Sequence, residues 1–154
     1  RECLFGGAFG SLQSQGRHFF DEAHEIYRFI AEVNALRTQH LALRRGRQYL
    51  RPISETGEAG SFGPPRMIGD QIRSVVPWSR LFANEEILLA INTDADAPHS
   101  AWVTIDASLQ AERDRLTCLY SSDPAQIGGT VTIEARNGRA IRISLPPGGF
   151  VVYR

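Results

Sequence analysis

The sequence has no lysine. All 17 basic residues of the 154-residue chain are arginine, and 17 acidic residues balance them to a net charge of zero. That balance gives no support to nucleic acid or an anionic membrane surface as a partner held by bulk charge. An arginine-only complement fits either bidentate recognition of carboxylates and phosphates or a compositional bias of the source genome. Cysteine is scarce too: Cys3 and Cys118 lie far apart and read as free thiols, not as a disulfide framework. No apolar run approaches the roughly 20 residues that a bilayer span requires, and the N-terminus lacks a basic region followed by an apolar stretch. The opening Arg1-Glu2-Cys3, with no initiator methionine, predicts a piece of a longer chain. What is present, 42% hydrophobic residues over this length, suffices for one domain with its own core.

Residues 21–40 carry the only strong helix signal. Ile26, Phe29, Ile30, Val33 and Leu36 recur at the three-and-four spacing of one buried face. Asp21 is the expected N-cap, and Glu22 and Glu25 place negative charge where the helix dipole favours it. A short continuation through Leu41 and Leu43 is expected to stop at Gly46 in a left-handed terminal position.

Beyond Gly46 the period becomes that of strands. Residues 47–54 alternate, and residues 55–77 are too rich in glycine and proline for a regular element. Strands are expected at 78–83 and 87–92 around the polar turn Asn84-Glu85-Glu86, then at 101–106, 116–120, 130–135 and 150–153. Asn137-Gly138 predicts a two-residue hairpin turn leading into Ile141, Ile143 and Leu145. The fold class that follows is mainly β: an antiparallel sandwich of Greek-key type preceded by one long α-helix.

Chemistry is thinly signalled. Arg1 to Gly10 combines an acid, a thiol, aromatics and glycines and looks most like a site loop, but neither glycine pattern of a phosphate or dinucleotide loop is present. Cys3 as a nucleophile would need His18 or His24 as its base; a buried thiol is the plainer reading. Asp94, Asp96 and His99 resemble a cation cluster, yet His99 and Ile105 occupy the places where a calcium loop needs glycine and glutamate, so an Asx turn explains them. His18, His24 and His40 lack ligand spacing and suit capping or surface roles. No metal and no cofactor is expected. Trp78 and Trp102, with Tyr49 and Tyr120, either stack on sugar rings or fill the core. Arg37, Arg44, Arg45, Arg47 and Arg51, with no acid between Val33 and Ser54, form either a docking face or a solvated one.

Four stretches, in order, carry a family resemblance. They are Arg1 to Gly10 with Arg17-His18-Phe19-Phe20; Tyr27-Arg28-Phe29-Ile30-Ala31 running on to His40-Leu41-Ala42-Leu43-Arg44-Arg45-Gly46; Trp78-Ser79-Arg80 with Ile87-Leu88-Leu89-Ala90-Ile91-Asn92-Thr93-Asp94; and Leu145-Pro146-Pro147-Gly148-Gly149-Phe150. Together they resemble the C-terminal third of the alpha-amylase family of glycoside hydrolases, family 13. The resemblance implies that residues 1–46 are the remnant of the last β/α unit of a (β/α)8 barrel and 47–154 the C-terminal sandwich. It implies a parent acting on α-glucans such as starch or maltooligosaccharides, with its catalytic carboxylates upstream and none mapping onto this chain. A complete barrel takes roughly 200 or more residues, so the isolated chain is expected to be inactive. Its partners are then the parent barrel and, through it, the glucan. Glu2, Phe5 and Phe9 are the residues expected nearest substrate. A carbohydrate-binding sandwich and an independent interaction domain are the alternatives. Without its barrel, the helix is expected to repack on the sandwich or to self-associate through Ile26, Ile30 and Val33.

Overall fold

The computed structural model describes residues 21–154. The chain divides into two compact units, Arg1–Leu36 and Arg37–Arg154. Helix α1 (Glu25–Gln39) begins in the first. Its cap is His24, not Asp21: the His24 carbonyl accepts from Arg28 N at 3.1 Å and its Nδ1 accepts from Ile26 N at 3.2 Å. Asp21 accepts from Ala23 N at 2.8 Å and closes the turn before the helix. The expected buried face does not form among the described residues. Ile26 is 62% exposed, Phe29 42% and Ile30 52%, while Val33 and Leu36 are half-buried. Periodicity marks which side of a helix is apolar, not whether anything covers it.

The second unit opens with a short helix, α2 (Leu41–Arg45), which ends at Gly46. Gly46 is not left-handed, as expected, but extended, at φ −64° and ψ 149°. Glycine is required there for another reason. A Cβ would lie 2.4 Å from Ala42 O and 2.8 Å from Leu81 O.

Eleven strands follow: β1 (Arg47–Leu50), β2 (Ile53–Ser54), β3 (Met67–Ile68), β4 (Gln71–Ile72), β5 (Val75–Phe82), β6 (Glu85–Asn92), β7 (His99–Thr104), β8 (Arg115–Ser121), β9 (Thr130–Thr132), β10 (Ala140–Leu145) and β11 (Phe150–Tyr153). A six-stranded sheet runs β1-β5-β6-β11-β8-β9 and a three-stranded sheet β10-β7-β2, every pairing antiparallel; β3 and β4 form a separate hairpin. The expected mainly β, antiparallel fold is what forms. Leu88, Ala90, Cys118 and Val151 of the larger sheet meet Val103, Ile141 and Ile143 of the smaller one in a single core. The strands that line this layer contribute alternate residues to it, as a pleated backbone must, whereas β1, β3 and β4 stay exposed. Cys118 is a free thiol within it, its Sγ donating to Tyr120 O, and burial raises both that thiol and the Tyr153 hydroxyl, the latter to about 12.

Three expected boundaries move. β5 begins inside the stretch read as irregular and contains Pro77, although it is an internal strand. Pro77 is tolerated because its carbonyl, accepting from Arg51 N at 3.2 Å, faces the β1 side just beyond the end of the β1 ladder. The missing N–H falls on that same side and interrupts no pairing with β6. Second, the β5–β6 turn is Ala83-Asn84, with Ala83 at φ 50°, and Glu85 and Glu86 belong to the strand. Third, Asn137 and Gly138 do take positive φ, 44° and 91°, but the chain closes at the Glu134–Ala140 bridge. No two-residue hairpin forms there. β9 pairs with β8, and β10 pairs with β7 in the other sheet. Between them the buried Ile133 carries the chain across the core layer. Turn chemistry supplied the bend, while core burial chose the partners.

Candidate functional site

Parity along β6 separates two chemistries. Glu86, Leu88, Ala90 and Asn92 point into the sandwich and are buried; Glu85, Ile87, Leu89 and Ile91 point outward. The register extends this outer face. Arg80 pairs with Ile87, Trp78 with Leu89 and Val76 with Ile91; Phe150 and Val152 lie beside Ile91 and Leu89, and Tyr120 beside Val152. Trp78, Phe150 and Tyr120 form an aromatic run, with centroids 6.3 Å apart for Trp78–Phe150 and 6.1 Å for Tyr120–Phe150. All three are half-buried. At the edge, Leu50 of β1, opposite Trp78, is 72% exposed.

Helix α2 packs over one end of this face, against β5 and β6, and both Ala42 and Ile87 are fully buried there. His40 Nδ1 sits 3.4 Å from Glu85 Oε1, and Arg154 Nε donates to the same oxygen at 2.9 Å. The half-buried Arg80 donates through NH1 to Gln48 Oε1 at 3.4 Å, while its Nε is buried with no acceptor.

Inside the sandwich lies an ionic network that the sequence reading misses. The Glu86 side chain, 1% exposed, accepts from Arg51 NH2 at 2.7 Å and from Ser79 Oγ at 2.5 Å through Oε1, and from Asp106 N at 2.9 Å through Oε2. Arg51 Nε donates to Ser79 Oγ at 2.8 Å. Asp106 closes the group 3.6 Å from Arg51, its carboxyl held below the ordinary range chiefly by the Ser108 hydroxyl, with Arg51 adding to the effect. Each Glu86 oxygen is satisfied, as a buried charge requires. In the structure Glu86 is in phase with Leu88 and Ala90, a core position occupied by an acid; in the sequence the unbroken apolar run from Ile87 to Ile91 hides that phase. Arg51, placed in the arginine cluster, is thereby an internal residue.

Asp94 makes the Asx turn that the sequence suggested. Its Oδ1 accepts from Asp96 N at 2.9 Å and Ala97 N at 3.2 Å, and its Oδ2 lies 3.2 Å from His99 Nε2. The Asp96 N–H first, then His99, hold the Asp94 carboxyl below its ordinary value of 3.8. A lowered folded-state value means that the ionised turn stabilises fully above 3.8 and loses that contribution as pH falls through the folded value. The denaturant midpoint of Asp94→Asn is therefore expected to lie below wild type at pH 7, with the gap narrowing as pH falls below 3.8; a gap independent of pH would exclude a charge-linked role.

Trp102 is 8% exposed on the outer side of the smaller sheet. The Arg136 guanidinium sits 4.1 Å from its ring centroid and donates through NH1 to Gly57 O at 2.9 Å; Arg142 is 5.8 Å from the same centroid. A Cβ on Gly57 would come within 2.6 Å of the indole. The ring thus anchors the loop after β2 through cation–π contact. The structure does not bring Trp78 and Trp102 together, because they sit in different sheets. Tyr49 lies on the edge strand β1, 44% exposed. Glu2, Phe5 and Phe9, with Cys3 and His18, lie outside the described residues.

No family model matches the chain, and no curated protein matches it. Solved structures do. The native form of the Nostoc punctiforme debranching enzyme superposes on 94% of this chain with a TM-score of 0.57 at 18% identity. AmyP in complex with maltose covers 91% at 0.52 and 19% identity, and a noncanonic maltogenic alpha-amylase, AmyB from Thermotoga neapolitana, covers 88% at 0.51 and 15% identity. The chain spans about a quarter of the length of each, 25%, 22% and 26%. At such identities the likeness is one of fold: this architecture occurs as part of larger alpha-amylase-like enzymes.

Proposed function

We propose that the chain is the C-terminal, non-catalytic portion of an alpha-amylase-like enzyme that hydrolyses or transglycosylates α-glucans such as starch or maltooligosaccharides, and that it closes and stabilises the (β/α)8 barrel of that enzyme. The observation that carries this reading is the extent of the match: 94% of this chain corresponds to only 25% of a debranching enzyme. In this reading residues 1–46 are the end of the barrel and 47–154 the sandwich behind it. The commitment of Glu86 and Asp94 to structural hydrogen bonds supports catalysis residing upstream. A retaining glycosidase needs two carboxyl groups about 5 to 5.5 Å apart and free to act on the sugar. The purified chain is expected to release no reducing sugar from starch above a blank; release well above it would overturn the assignment.

A second reading, a glucan-binding sandwich, draws on the run of Trp78, Phe150 and Tyr120. Calorimetry of the same preparation with a maltooligosaccharide decides it. Heat abolished by Trp78→Ala favours binding, and no heat at millimolar ligand removes it. Exposed Ile26, Phe29 and Ile30 support self-association of the isolated chain through α1. A strict monomer by light scattering rules that out.

A further inference from the structure

Asparagine followed by glycine is the pair in which the backbone most readily attacks a side chain, because glycine has no Cβ to hold its nitrogen back. The asparagines of the chain are Asn34, Asn84, Asn92 and Asn137, and glycine follows Asn137 alone. The structure leaves both partners of that pair unheld. Asn137 and Gly138 are exposed, and among the described residues neither the Asn137 side-chain amide nor the Gly138 N–H makes a hydrogen bond. The space about Gly138 is open: a Cβ there would meet only Ala107 Cβ, at 3.8 Å. Asn92 is the contrast. It is buried, and its Nδ2 donates to Ala97 O at 2.8 Å and to Pro146 O at 2.9 Å. The φ values of 44° at Asn137 and 91° at Gly138 are those of the central residues of a type I′ turn. Turning the peptide plane between them gives the type II′ arrangement, with ψ of about −120° at the first residue, and glycine accepts the accompanying change in the sign of φ. In that arrangement the Gly138 nitrogen faces the Asn137 Cγ. The Arg139 guanidinium, which donates through NH1 to Gly138 O at 2.8 Å, puts positive charge near the nitrogen that must become anionic to attack.

We propose that Asn137-Gly138 is a site of spontaneous deamidation in the folded protein, with water as the co-reactant. The Gly138 nitrogen gives up its proton and bonds to Asn137 Cγ; the Cγ–Nδ2 bond breaks, ammonia leaves, and a succinimide ring closes. Water then opens the ring at either carbonyl and leaves aspartate or isoaspartate, with no oxidant or reductant consumed. Either product puts a carboxylate between Arg136 and Arg139 in the chain. Isoaspartate also lengthens the main chain by one carbon, in the loop whose Arg136 guanidinium lies 4.1 Å from the Trp102 ring centroid. The inference stands on this loop and is independent of the function proposed for the chain.

Ageing the 154-residue chain in mildly alkaline buffer, folded and in parallel unfolded in urea, tests it by peptide mass and by methyl transfer from a protein isoaspartyl methyltransferase. In the folded chain the peptide spanning residues 135–139 is expected to gain the mass of an amide exchanged for an acid and to accept methyl groups. Its rate is expected within about ten-fold of that in the unfolded chain, because opening an exposed loop costs little. The peptides that carry Asn84 and Asn92 stay unchanged in the folded chain over that time, and methyl acceptance falls to background in Asn137→Ser. A folded chain that stays intact at Asn137 while the unfolded chain converts overturns the site. Methyl acceptance that survives Asn137→Ser, or conversion of Asn92 ahead of Asn137, overturns it as well.

Discussion

Arg51→Met is expected to destabilise the sandwich by about 3 to 5 kcal/mol, because it leaves the Glu86 carboxylate buried without its cation. The size follows from burial: Glu86 is 1% exposed and Arg51 14%, so water cannot replace the lost guanidinium. An exposed pair of the same geometry would be worth less than about 1 kcal/mol. The effect reaches beyond one contact. Arg51 also donates to Ser79 and lies near Asp106, so β5, β6, the segment after β1 and the end of β7 all share the group. Adding Glu86→Gln to Arg51→Met removes the stranded charge while keeping a carbonyl oxygen for the Ser79 hydroxyl or the Asp106 N–H, and is expected to recover more than about 1 kcal/mol. Denaturant unfolding of the two single variants and the double variant measures this. If Arg51→Met stays within about 0.5 kcal/mol of wild type, the network is not the brace described.

The same pair shows where sequence reading stopped. An unbroken apolar run marked the strand from Ile87 to Asn92, and period-two alternation marked the one from Ile141 to Leu145, where the apolar side chains are buried on one face. Neither placed Glu85 and Glu86, since two adjacent glutamates read as a polar turn unless their partners are known. Those partners, Arg51, Ser79, His40 and Arg154, are between 7 and 69 residues away, a separation that no local pattern encodes. The candidate site was legible to the same degree. Trp78 was identifiable as an aromatic on a strand, yet its neighbours Phe150 and Tyr120 come from strands that only sheet order brings beside it. Trp102 carried the same sequence signal and has a different fate, set by Arg136 and Gly57 on its ring. For α1 the pattern gave the apolar side, and the exposure of Ile26 and Ile30 depends on what lies against them, which periodicity does not contain.

Gly46→Ala carries the second large expected effect, and its sign is the point. At φ −64° and ψ 149° the backbone is one that alanine adopts without strain. Judged on conformation alone, the substitution should stabilise by about 0.4 to 1 kcal/mol, because it restricts the unfolded chain. The packing predicts the opposite. The new methyl would stand 2.4 Å from Ala42 O and 2.8 Å from Leu81 O, both backbone atoms. Ala42 O is held in place because it already accepts from Gly46 N at 2.9 Å, and Leu81 is tied into the β5–β6 and β1–β5 ladders. Neither can retreat as a flexible side chain would. The clash must be relieved by lifting α2 from the sheet, which exposes Ala42 and Ile87 and loosens the His40–Glu85 contact. A net loss of about 1 to 3 kcal/mol is expected in urea unfolding. A gain in stability would mean that the α2–β1 junction relaxes freely and that α2 is not held fixed against β5 and β6.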